Sequence, residues 1–106
     1  MKIDVLGREY TISIKDVDED ETLKKENLDG YCDNEDANIV IRKKENPKNM
    51  NASIRHELIH AFLFESGLGF NWEHNTAMGH DETFVDWFAM QYPKIHKLFQ
   101  KLEIED

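Results

Sequence analysis

From Ala52 to Ser66 the chain contains neither Pro nor Gly, and Ile54, Leu58, Ala61, Phe62 and Glu65 recur at helical spacing. The stretch reads as one helix, and Gly67 is placed to end it. Pro47 and the Asn-rich run 46–51 break the pattern ahead of it and offer Asn49 or Asn51 as an N-cap. Inside the helix lies His56-Glu57-Leu58-Ile59-His60. Residues four apart stand one above the other on a helix, so the two imidazoles can converge on one metal ion. Glu57 projects from a neighbouring part of the surface, where a carboxylate can hold a water and take its proton.

A hydrolytic zinc site takes three protein ligands and leaves a fourth position for water. The chain has a single cysteine, Cys32, so neither an internal disulfide nor a cysteine-based zinc site can form. The third ligand must then be His or a carboxylate. The extended pattern with Gly at position 63 and His at position 66 is ruled out, because Leu63 and Ser66 stand there. A later predicted helix carries Glu82 and Asp86, four residues apart and on one face. If Glu82 ligates the metal, Asp86 is placed to accept the outward ring N–H of a ligand histidine, His56 first of all. His74, in a predicted loop, and His80, at a helix start, are the alternative third ligands; either could instead polarise a substrate carbonyl. Tyr31 and Tyr92 are oxyanion donors by chemistry alone. Phe70, Trp72 and Trp87 read as pocket lining or as core.

His-Glu-x-x-His followed after a loop by Glu-x-x-x-Asp resembles the gluzincin arrangement of thermolysin-like peptidases. It is also similar to the small zinc-peptidase domains of the ImmA/IrrE group and its shorter relatives, encoded by phages and mobile elements. The stretches Arg55 to Leu63 and Glu82 to Ala89 carry the likeness. The resemblance implies one Zn²⁺ held by His56, His60 and Glu82, with Glu57 as general base, Asp86 supporting a ligand and a peptide or protein as substrate. The alternative is a zinc-stabilised interaction or regulatory module of a phage or mobile element that binds a partner without cutting it, since in so small a chain bound zinc can contribute to folding outright. No equivalent of the downstream His or Tyr of larger gluzincins is recognisable.

With 106 residues there is room for one core, so residues 1–106 are read as a single domain. The fold class expected is α+β: a small antiparallel sheet of about four short strands packed on about three helices. Residues 1–45 form the strand-rich part, 48–67 the metal helix, and 80–102 the ligand helix and a C-terminal helix that begins at Pro93 or Lys94. Ile3 and Val5, then Tyr10, Ile12 and Ile14, alternate with polar residues around Leu6-Gly7-Arg8-Glu9, as a hairpin with one buried face requires. Tyr31-Cys32-Asp33 and Ile39-Val40-Ile41 suggest a second hairpin. The strand Asn38 to Arg42 would present a free edge to an extended peptide. Nine of the eleven aromatics follow residue 60, which places the core around the helices.

Asp16-x-Asp18-x-Asp20 has the opening spacing of a calcium loop, but Glu21 replaces its Gly and Asn27 its Glu. A solvated acidic loop or short exposed helix is expected there. The net charge of −9 argues against nucleic acid as partner, because phosphate binding needs clustered Lys and Arg. No apolar run reaches membrane-spanning length, and the amino terminus lacks the uninterrupted apolar region of a signal peptide. The reading is therefore cytoplasmic, with no membrane partner.

Overall fold

The computed structural model of the chain describes residues 1–67 and 82–105, with residues 82, 83, 85, 86 and 89 described by backbone alone. The fold is α+β: strands β1 (Lys2–Val5) and β2 (Arg8–Lys15), helix α1 (Glu21–Glu26), strands β3 (Gly30–Asp33) and β4 (Asn38–Arg42), then helices α2 (Pro47–Glu65) and α3 (Glu82–Leu102). Val5 pairs with Arg8 across Leu6 and Gly7, whose φ angles of 51° and 94° define a tight two-residue turn matched to the twist of the strands.

The four strands lie in the order β1-β2-β4-β3, and β4 runs parallel to β2 with Ile12 opposite Ile39 and Ile14 opposite Ile41. The sheet is thus mixed rather than antiparallel. Alternation of apolar residues specifies which face a strand buries, not its direction. A parallel neighbour needs a long crossover, and residues 16–37 supply it through a 3₁₀ turn, α1 and β3. This corrects the expectation of a free edge at Asn38–Arg42: β4 is interior, and Ile39, Val40 and Ile41 are buried on both faces as a central strand requires. Among the described residues, the free edge beside it belongs to β3.

On one face of the sheet, Ile3, Val5, Tyr10, Ile12, Ile39 and Ile41 pack against Ile54, Leu58, Ala61 and Phe62 of α2, joined by Trp87, Ile95 and Ile104. Among the described residues the core is therefore mostly aliphatic sheet against α2, not aromatic helix against helix. Leu23 and Val40 are buried apart from this cluster, and Tyr31, paired with Val40, reaches Asp20 at the start of α1 through its hydroxyl at 2.8 Å. The acidic segment is thus a capped element: Asp20 accepts from the Leu23 N–H at 3.0 Å and lies 3.6 Å from Lys15.

Helix α2 starts earlier than the Asn-rich run suggested. Asn46 is its N-cap, accepting from the Lys48 N–H at 3.0 Å, and Pro47 takes the first helical position, where a missing N–H costs nothing. It ends as expected, with Ser66 as C-cap and Gly67 in the left-handed region at φ 87°. Helix α3 runs unbroken through Pro93, so the two helices expected between 80 and 102 are one. A proline inside a helix costs about 3 kcal/mol. Burial of Trp87 before it and Ile95 after it on a shared face offsets that cost.

Polar contacts pin α2 along its length. Tyr10 and Arg8 both donate to Glu65 Oε2, at 2.7 and 3.1 Å. The Trp87 indole N–H donates to Ser66 Oγ at 2.6 Å, and the Arg55 guanidinium donates to the Ile104 carbonyl. Among the described residues no helix is long and apolar enough to cross a membrane.

Asp20 ties the stability of this segment to pH. The Leu23 N–H, then the Tyr31 hydroxyl and Lys15, hold its carboxyl below the usual value of 3.8 despite partial burial. A lowered folded-state pKa gives stability that is present above the unfolded value and lost as pH falls through the folded one. Asp20→Ala should cost about 1–2 kcal/mol in urea unfolding at neutral pH, and the gap from wild type should narrow as pH drops below about 4.

Candidate metal centre

His56 and His60 occupy successive turns of α2, and their Nε2 atoms stand 3.2 Å apart. Two nitrogens each about 2.0–2.1 Å from a tetrahedral zinc would stand about 3.3 Å apart, so the pair has the separation such an ion requires. One ligand atom from each of His56, Glu57 and His60 lies within 4.8 Å of the others. Both imidazoles are at the helix surface while Glu57 is only 7% exposed. That contrast follows from helix geometry: Ile54, Leu58 and Ala61 face the sheet, and Glu57 lies on the same side, one turn after Ile54 and one before Ala61.

Burial raises the Glu57 pKa, opposed by the neighbouring His56. The Glu57 carboxylate makes no hydrogen bond with any described residue and borders the cleft described below, and desolvating a carboxylate is costly unless a cation is near. Partial burial and then the proximity of His56 lower the pKa of His60, keeping its ring neutral and its lone pair available at neutral pH. Two converging imidazoles and a desolvated acid are a donor set into which zinc fits.

Glu57 is buried because β3 passes close beneath it at Gly30. A Cβ at this position would lie 2.9 Å from the Val40 carbonyl oxygen, 3.1 Å from Ile41 Cδ1 and 3.5 Å from Glu57 Cγ. Sequence reasoning passed over Gly30, although a glycine inside a strand marks close approach. The Arg42 N–H donates to the Asp29 carbonyl at 2.9 Å. In the antiparallel alternation this leaves Gly30 and Cys32 with their N–H and C=O groups turned away from β4, toward the edge that no described strand covers. Beside that edge, a cleft of about 440 Å³ runs between Asp29, Gly30 and Lys44 on one side and Asn49, Ala52, Ser53, His56 and Glu57 on the other. Lys44 and Asp29 close an ion pair of 2.8 Å there.

The remaining candidates separate. The side chains of Glu82 and Asp86, together with His74, His80, Phe70 and Trp72, lie outside the described residues. Tyr31 is committed to Asp20 on the opposite face of the sheet. Tyr92 is stacked along α3 between Phe88 and His96, and Trp87 is core. His96 is a surface residue paired with Glu105 at 2.6 Å. Cys32 packs against the core, and burial with the charges of Glu57, Asp33 and Glu65 pushes its thiol up to about 12, so it is no nucleophile.

No family model, curated protein or solved structure matches the chain.

Gly30→Ala tests the close approach. The added methyl must displace the Val40 carbonyl or the Ile41 side chain, and the variant should lose about 1–3 kcal/mol in urea unfolding. An unchanged midpoint would mean that β3 and β4 have room to spare.

Proposed function

We propose that the chain is a minimal zinc-dependent peptidase, acting on an extended peptide laid along the free edge of β3. The observation that carries this reading is the convergence of the His56 and His60 Nε2 atoms beside the buried carboxylate of Glu57. His56 and His60 would hold the ion, with Glu82 proposed as third ligand and Asp86 as the acceptor that orients a ligand ring. Zinc bound there supplies Lewis acidity, lowering the pKa of a water and polarising a carbonyl.

The chain's own residues do the rest. Glu57, with its pKa raised by burial, takes the water's proton and delivers it to the leaving amine, because a raised carboxyl pKa suits both halves of that exchange. The outward N–H and C=O groups of Gly30 and Cys32 would pair with the substrate backbone, as strand addition requires. Alternate substrate side chains would then enter the adjoining cleft.

Protein prepared without a histidine tag should carry about one zinc per chain, and His60→Ala should lose it. Glu57→Gln should retain the metal yet cut a peptide library about 10²–10⁴-fold more slowly. Undiminished cleavage by that variant would remove Glu57 as the base. Zinc without cleavage by wild type would favour the non-catalytic interaction module. A Glu82→Ala protein that binds zinc as tightly as wild type would move the third ligand elsewhere.

A further inference from the structure

A second groove lies on α3, apart from the metal centre, between that helix and the β1–β2 turn. Its volume is about 280 Å³; Leu6, Phe62 and Leu98 give it apolar walls, and Lys94, Lys97 and Lys101 rim it. We propose that this groove binds a short acidic segment of a partner protein through an apolar anchor residue.

Three observations carry the assignment. The first is charge. Lys94, Lys97 and Lys101 are the only Lys or Arg residues after Arg55, in a chain of net charge −9. Their spacing of three and four places all of them on one stripe of α3, and all three are exposed. None makes an ion pair or hydrogen bond among the described residues. The one acid in the lining, Asp4, is turned to the hairpin, where it accepts from the Gly7 N–H at 3.2 Å.

The second is the apolar wall between the lysines and the turn. A row of cations serving only solubility needs no concave apolar surface beneath it, whereas an anchor residue does. The third is Leu6. It holds φ 51° in a turn position that Asn, Asp or Gly fills without strain. Core packing accounts for the buried side of Leu6; its open side is groove wall, so the strained backbone serves a surface a ligand can use.

Charge also chooses among anionic partners. A long phosphate polymer would meet the repulsion of the whole acidic surface, while a short peptide need only cover the lysine stripe. The experiment is fluorescence anisotropy of a labelled synthetic peptide of alternating Glu and Leu, titrated with the intact protein. Its Lys-for-Glu counterpart and a labelled single-stranded oligonucleotide are the comparison probes. The acidic peptide should bind saturably, more weakly as salt rises, and unchanged by EDTA, which separates the groove from the metal centre. Lys94→Glu, Lys97→Glu and Lys101→Glu combined should weaken binding at least about tenfold. Leu6→Asn, which relieves the left-handed strain and should remain folded by circular dichroism, should also weaken it. Absence of saturable binding, equal binding by the triple variant, or equal or tighter binding of either comparison probe would overturn the proposal.

Discussion

The packing of α2 across the sheet is the constraint on which the rest of the structure depends. Ile54, Leu58, Ala61 and Phe62 press onto strands whose inward residues are almost all aliphatic, and burial of such side chains is worth about 1.5–3 kcal/mol each. The rotation of the helix about its axis is thereby set. Contacts at Glu65, Ser66 and Arg55 then hold it from sliding along that axis. With both freedoms removed, the direction of every other side chain on α2 follows.

Glu57 shows the consequence. It lies within the stripe that faces the sheet, where an apolar residue would be more stable, and its carboxyl is desolvated there. The sheet accommodates it only because β3 carries Gly30 at the crossing. His56 and His60 fall on the adjoining surface of the same helix, so the turn geometry that buries the acid also presents the two imidazoles side by side. A buried acid beside two exposed imidazoles is a costly arrangement, of the kind that clusters at functional sites.

Much of this was legible in the residues. The proline- and glycine-free stretch located α2, Gly67 marked its end, and alternation in Ile3, Val5, Tyr10 and Ile12 identified buried strand faces. Strand neighbours were not legible, because alternation encodes face and not direction; a central β4 parallel to β2 depends on how residues 16–37 fold back. Pro47 and Pro93 were read as breaks, yet the first needs no N–H at the start of a helix and the second is carried by burial on both sides. At the site, spacing alone brought His56, Glu57 and His60 together. Gly30, Asp29 and Lys44 belong to another element, and only the strand order places them beside Glu57.

The central claim is that His56 and His60 share one zinc ion. Zinc-edge X-ray absorption of the tag-free protein, compared with a His56→Ala variant, tests it most directly. The account predicts scattering from two imidazole rings at about 2.0–2.1 Å in the wild type, reduced to one ring or lost with the metal in the variant. A zinc environment without imidazole, or one that His56→Ala leaves unchanged, would contradict it.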